Sequence, residues 1–226
     1  MRARNSLSLQ MMKYLFALIA VSFFSVYAAA QNVLVDSRDN QEYRTAKIGS
    51  QVWMAENLSY ASEESFCYTR FGYDCRKYGR FYTWDVAKDV CPAGWHLPTA
   101  EEFEQLFAEV GGRDSAAVKL KSAEGWSHYG NGSDEYGFNG TPSGFRDYRG
   151  RFDRQTLYAY LWSATEDGAS SSNAAQGVAA SGQENAARNA PSKKAIGVHM
   201  MAGRKDVSVY PYAKNFGLSV RCVKDE

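Results

Sequence analysis

Hydrophobic and polar positions alternate over residues 42–58, EYRTAKIGSQVWMAENL, with Thr45, Ile48, Val52 and Trp53 as strand formers around Gly49-Ser50. This pattern predicts a β-hairpin that turns at the Gly-Ser pair. The period changes at Thr99. Pro98 precedes it, Glu102 follows three residues later, and Phe103, Leu106, Phe107 and Val110 recur at helical spacing before Gly111-Gly112. A threonine cap, a glutamate at the third helical position and a glycine stop predict a helix between them. Glu101 and Glu102 are read as capping and dipole-complementing residues rather than catalytic carboxylates.

The rest of the pattern is more broken. Residues 78–90, YGRFYTWDVAKDV, predict a short helix with Phe81, Trp84 and Val90 near one face, ended by Pro92 and Gly94. Residues 116–126 read as a short helix or strand that leads into a Gly- and Asn-rich stretch, GNGSDEYGFNGTPSG, at 130–144. Such a stretch needs unusual backbone angles and predicts a structured loop of tight turns. Strands are predicted at 156–163, 195–201, 206–212 and 217–223, with turns at Gly203-Arg204 and Asn215 to Gly217. Residues 168–192 are rich in Gly, Ala, Ser and Asn, hold no aromatic residue, and read as an exposed, variable loop. No internal repeat is evident.

A different pattern opens the chain. Arg2, Arg4 and Lys13 flank an uncharged run from Tyr14 to Val26, and Ala28, Ala29 and Ala30 follow. Thirteen helical residues span roughly 20 Å, short of a bilayer core of about 30 Å. A basic flank, a short apolar run and small residues at the exit predict a cleaved secretory signal over residues 1–30, with translation starting at Met1, Met11 or Met12. No cysteine follows the apolar run, so lipid attachment is not expected. The exported part, residues 31–226, is expected to form one domain. Without Arg2, Arg4 and Lys13 the 26 basic residues become 23, against 25 acidic ones. That balance argues against a nucleic-acid partner, and no further apolar run is long enough for a membrane span.

The four cysteines, Cys67, Cys75, Cys91 and Cys222, all lie in the exported part, where disulfides persist. Of the three possible pairings, Cys67–Cys75 with Cys91–Cys222 is favoured. The first closes a short loop with Gly72 available for the turn; the second ties the middle of the chain to its last strand. No CxxC pair exists, and His96, His128 and His199 show no ligand spacing, so zinc is not expected. Asn131, Ser133, Asp134, Glu135 and Asn139 offer several oxygens within one loop, a weak candidate for calcium; the same residue types are what turns require.

Several phrases together resemble a known family: DSRDNQEYRTAKIGSQVWMAENLSY (36–60), YGRFYTWDVAKDVCPAGWHLPTAEEFEQL (78–106), LKSAEGW (120–126), NGSDEYGFNGTPSGFRD (131–147), LWSATE (161–166) and FGLSVRCVKD (216–225). They are similar to the Fibrobacter succinogenes major paralogous domain, a family of secreted and lipid-anchored bacterial proteins. HLPTAEEFEQL and SVRCV also resemble, more distantly, segments of formylglycine-generating (sulfatase-modifying factor) proteins, which have a C-type-lectin-like fold. The resemblance implies an α+β domain with two short helices, a twisted antiparallel sheet and long loops. A disulfide from Cys91 to the last strand suits that fold. The alanine-rich stretch 168–192 departs from the family pattern.

These readings give a secreted or cell-surface binding module without catalytic activity, its ligand a cell-wall or plant polysaccharide. A structural protein of the cell surface, contacting other surface proteins, is the alternative. The expected ligand face draws on Tyr148, Arg149, Phe152, Trp162, Arg204, Tyr210, Tyr212 and Lys214: rings to stack on sugars, cations to meet hydroxyls or uronates. Trp162 and Tyr158 can also be core residues of a central strand, and for Trp162 the core reading is favoured. An oxidase of the formylglycine-generating type needs a redox-active cysteine pair, and none remains once the four cysteines are paired. A glycoside hydrolase needs two carboxylates across a cleft, for which Asp134/Glu135 and Glu166/Asp167 are weak candidates.

Overall fold

The computed structural model describes residues 33–68, 75–168 and 193–226. The expected signal peptide and the expected loop at 168–192 lie outside them, Gly168 excepted.

The first hairpin forms as its pattern predicts. β1 (Val33–Asp36) pairs with β2 (Gln41–Ile48), which turns at Gly49-Ser50 into β3 (Gln51–Met54). The segment read as one helix at 78–90 divides differently. α1 (Cys75–Tyr78) precedes it, β5 (Phe81–Tyr82) pairs with β4 (Ser65–Phe66), and α2 spans only Trp84–Ala87. The break falls at Gly79, whose φ of 73° and lack of a side chain let the chain pass Asn57; a Cβ there would stand 2.6 Å from the Asn57 Cβ. Phe81 and Tyr82 are both fully buried, which a strand between two neighbours achieves and one face of a helix does not.

β6 (Trp95–His96) leads into α3 (Ala100–Glu109), where the capping box is complete. Thr99 Oγ1 accepts from the Glu102 amide at 3.1 Å, and the Thr99 amide donates to Glu102 Oε2 at 2.7 Å. α4 (Arg113–Leu120) starts before the predicted 116 and ends before 126. The Gly-rich stretch after it is a loop, as expected, and β7 (Phe145–Arg146) and β8 (Phe152–Asp153) form a small ribbon. β9 (Tyr158–Glu166), β10 (Lys194–Met201) and β11 (Val207–Ala213) form an antiparallel meander.

The predicted last strand at 217–223 is two. β12 (Leu218–Ser219) joins one sheet and β13 (Val223–Lys224) another, and Val220, Arg221 and Cys222 cross between them, fully buried. The described residues therefore hold three sheets and four short helices, not one sheet and two helices. The sheet orders are β1-β2-β3-β13-β6, β11-β10-β9-β12-β5-β4, and β7-β8. Pairing between the named strands is antiparallel except where β12 meets β9, Ser219 against Leu161; the isolated bridges Lys121–Gly140 and Gly144–Ala159 are also parallel. Two cores result. One packs α3 and α4 against the inner face of the meander through Phe103, Leu106, Phe107, Leu120, Leu161 and Val198. The other gathers Tyr43, Met54, Tyr82, Trp84, Trp162 and Leu218.

Both favoured disulfides are present, Cys67–Cys75 with Cα atoms 5.4 Å apart and Cys91–Cys222 with Cα atoms 5.9 Å apart. The second closes 131 residues of sequence separation. Cys91→Ala/Cys222→Ala is expected to lower unfolding free energy by up to about 5 kcal/mol, the chain-entropy value for a loop of that length. Urea denaturation of the double variant checks it; an unchanged midpoint contradicts it.

The C-terminus is tied down by charge. His96 Nδ1 lies 2.6 Å from Asp225 Oδ1 and its Nε2 2.8 Å from Glu102 Oε1. Burial by itself lowers this imidazole's pKa, but the hydrogen bonds to Asp225 and Glu102 outweigh it and hold the group above its ordinary value. A raised folded-state pKa means the stabilisation is fully present below the unfolded value of about 6.5 and is lost as pH rises through the folded value. Melting temperature is therefore expected to fall more between pH ~6 and ~9 in the natural chain than in His96→Gln. Parallel pH profiles for the two proteins would remove His96 from the account.

Candidate functional site

The meander has two unlike faces because side chains alternate along each strand. Ala159, Leu161, Val198, Met200 and Val207 enter the core. The register places Tyr160 beside His199, and His199 beside Ser208, on the opposite face; Tyr158 and Tyr212 share that face. Tyr160 and Tyr212 pack in part against the second core, so the aromatic side chains of this face are half-buried, while Tyr210 is 57% exposed.

The rings form a continuous run. Tyr210 meets Tyr212 at 5.6 Å between centroids, Tyr212 meets Tyr160 at 5.7 Å, and Tyr160 meets both Tyr158 at 5.3 Å and His199 at 5.4 Å. Across β9 the run continues from Tyr160 to Phe145 at 5.3 Å, then to Phe216 at 5.7 Å and Tyr148 at 6.2 Å. Tyr148 is 55% exposed and marks the far end. Most neighbours meet edge-to-face or tilted, the arrangement that ring quadrupoles favour, so the rings hold one another in place.

Two details position Tyr212. Its hydroxyl lies 2.6 Å from His199 Nδ1. Gly197 on the neighbouring strand leaves room for the ring, since a Cβ there would stand 2.8 Å from Tyr212 Cδ2. Burial lowers the pKa of His199, which is therefore neutral at neutral pH. Burial also raises the Tyr160 and Tyr212 phenols, which stay protonated as hydrogen-bond donors.

The sequence-predicted ligand residues divide into three groups. Tyr148, Tyr210 and Tyr212 belong to the run; Arg149 stands over the Tyr148 ring at 5.2 Å and Arg204 occupies the turn after β10. Trp162 does not reach the surface. It is fully buried, donates from Nε1 to the Tyr82 carbonyl at 2.9 Å, and supports Tyr212 from below at 6.3 Å. Phe152 packs instead with Tyr68 and Phe81, and Lys214 pairs with Glu166 at 2.6 Å over the Trp84 ring. Tyr160, His199, Phe145 and Phe216 are not among the expected ligand residues, and Tyr158 is read from sequence only as a core candidate. The alternation in TLYAYLWS carried a signal for Tyr158 and Tyr160; their partners on β10 and beyond have no local signature.

The calcium-candidate loop uses its oxygens on the fold. Asn131 Oδ1 accepts from the Trp126 amide, Asp134 Oδ1 accepts from the Asn139 amide, and the Ser133 hydroxyl donates to the Val118 carbonyl. Among the described residues no three His, Cys, Asp or Glu side chains cluster closely enough to hold a metal ion. A polar cleft of about 370 Å³ lies elsewhere, between Arg44, Glu56, Asn57, Arg76, Tyr78 and Thr141. Arg44 and Glu56 already pair across it at 3.0 Å.

A family model described as the Fibrobacter succinogenes major domain matches residues 46–224, and the chain belongs to that family. No curated protein and no solved structure shows significant similarity to the chain.

Core and surface rings are expected to respond differently to truncation. Trp162→Ala should cost about 3–5 kcal/mol of stability. Tyr210→Ala should change it by no more than about 0.5 kcal/mol. Equilibrium denaturation of both variants checks the assignment, and equal losses would contradict it.

Proposed function

We propose that this member of the Fibrobacter succinogenes major domain family is an extracellular, non-catalytic carbohydrate-binding module, with its ligand lying along the aromatic face of the meander. One observation carries the reading: seven aromatic residues and a histidine form an unbroken, partly exposed run across four strands and the adjoining loops. The apolar face of a sugar ring stacks on such surfaces, and the phenol hydroxyls can meet sugar hydroxyls at the ring edges. Tyr148 and Tyr210 are more than half exposed at the two ends of the run, and a contiguous exposed apolar patch of this kind marks an interaction site. The tilt between neighbouring rings, such as 85° between Tyr160 and Tyr212, favours a single flexible glycan chain over a flat crystalline surface.

Two disulfides favour a site of action outside the cell, and among the described residues no helix is long and apolar enough to cross a membrane. The C-type-lectin-like arrangement implied by the resemblance belongs to the same proposal. Its supports are the first and last strands meeting in one sheet and the disulfide from Cys91 to the last segment.

Affinity electrophoresis against a set of soluble cell-wall polysaccharides tests the proposal. The natural protein should be retarded by at least one, and Tyr160→Ala should weaken that interaction about tenfold, or about 1.4 kcal/mol. Retardation by none of the polysaccharides, or retardation unchanged in Tyr160→Ala, would overturn it.

A further inference from the structure

At the turn end of the aromatic run lies a pocket of about 220 Å³, lined by His199, Met201, Arg204, Asp206 and Ser208. It is continuous with the run, because His199 belongs to both. We propose that this pocket is a specificity subsite for one neutral sugar unit, read through a vicinal diol by the Arg204–Asp206 pair. The inference rests on the carbohydrate-binding reading above and assigns the polar groups that discriminate among sugars.

The pair has the required shape. Arg204 Nε donates to Asp206 Oδ1 at 2.8 Å and Nη2 donates to Oδ2 at 2.9 Å, so both groups lie in one fork-to-fork plane. Each carboxylate oxygen keeps acceptor capacity, and the guanidinium keeps further N–H donors. Two adjacent hydroxyls can each donate to one group and accept from the other. The hydrogen bond from Arg204, ahead of the opposing effect of burial, holds the Asp206 carboxyl below its usual range, so it remains an ionised acceptor. Arg204 is neutralised by Asp206 and His199 is neutral, so the groups lining the pocket carry no net positive charge. A uronate would face the Asp206 carboxylate without a free cation to offset it. The volume lies below the roughly 300–1,000 Å³ of sites that enclose drug-sized ligands, which suits a single sugar unit.

The turn carrying these residues is held rigidly from beneath. Lys121 is only 2% exposed, and its ammonium donates to the Arg204 carbonyl at 3.0 Å and the Met201 carbonyl at 3.3 Å. The Ala117 amide of α4 donates to the Lys205 carbonyl at 3.0 Å. An ammonium buried against two carbonyls and the Trp126 ring, with no carboxylate, is expensive, and here it fixes the backbone on both sides of Gly203. A preorganised turn presents its polar groups without an ordering cost when the ligand arrives.

Isothermal titration with two soluble probes tests the assignment: a neutral β-linked hexose oligosaccharide and a uronic-acid oligosaccharide of equal length. The natural protein should bind the neutral probe at least tenfold more tightly. Asp206→Asn, which keeps the shape and removes the charge, should weaken the neutral probe about tenfold and bring the two affinities within about threefold. Arg204→Gln, on the more exposed side of the pair, should also weaken the neutral probe. Tyr160→Ala separates the two levels of the reading, since it should weaken both probes alike. Neutral binding that depends on Tyr160 but keeps its preference in Asp206→Asn would overturn the subsite alone. Failure of the natural protein to bind either probe would overturn the subsite and the platform together.

Discussion

A guanidinium buried without a carboxylate hydrogen-bond partner sits where the two large sheets meet. Arg221 is fully buried, with its donors turned to three oxygens of two separate segments: Nε to Asn57 Oδ1 at 2.8 Å, Nη2 to the Asn139 carbonyl at 2.6 Å, and Nη1 to the Phe138 carbonyl. It also lies 4.5 Å over the Phe138 ring. Burial pushes its pKa down to about 9, which leaves it charged at neutral pH. A charge so placed is tolerated only while every donor is met, so the positions of the Asn57 turn, the Gly-rich loop and the last segment become interdependent. Its neighbours complete the stitch: the Leu58 amide donates to the Val220 carbonyl and the Met54 amide to the Cys222 carbonyl, with Cys222 bonded to Cys91.

That junction sets what the rest of the molecule can present. Because residues 220–222 pass from one sheet to the other, β12 is brought beside β9 and the inner face of the meander is committed to the helices. The outer face is left to its rings. Lys121 repeats the device on a smaller scale, using a buried cation and two carbonyls to fix the β10–β11 turn at the end of the aromatic run. Both cations hold backbone rather than a carboxylate partner. Each therefore specifies the path of an irregular segment, which a hydrophobic side chain of similar size cannot do.

Local signals in the sequence were reliable where the structure is local. The Thr99–Glu102 capping box, the Gly49-Ser50 turn and the Cys67–Cys75 loop involve residues within a few positions of one another, and each could be read directly. The last strand was misread for a physical reason. GLSVRCV alternates like one strand, but burial of Val220, Arg221 and Cys222 together requires a segment enclosed on all sides, and only the distant oxygens of Asn57 and Asn139 make the arginine acceptable there. The core reading favoured for Trp162 holds for a related reason. Trp162 shares a face with Tyr158 and Tyr160, yet Tyr82, far away in sequence, closes over it. The aromatic run is half legible: Tyr148, Tyr210 and Tyr212 stand out as residue types suited to sugars and Tyr160 by its alternation with Tyr158, while His199 becomes visible only once β9 and β10 are in register.

The central claim is that the outer face of the meander is where the ligand lies. Backbone NMR of the labelled protein, titrated with the soluble glycan fragment it binds most tightly, tests this most directly. Chemical-shift changes should cluster at Phe145 to Arg149, Tyr158 to Tyr160, Gly197 to Met201, Ser208 to Tyr212 and Phe216, with the helices and the first hairpin unmoved. Changes centred instead on the polar cleft of Arg44, Asn57 and Tyr78, or no changes with any glycan, would contradict it.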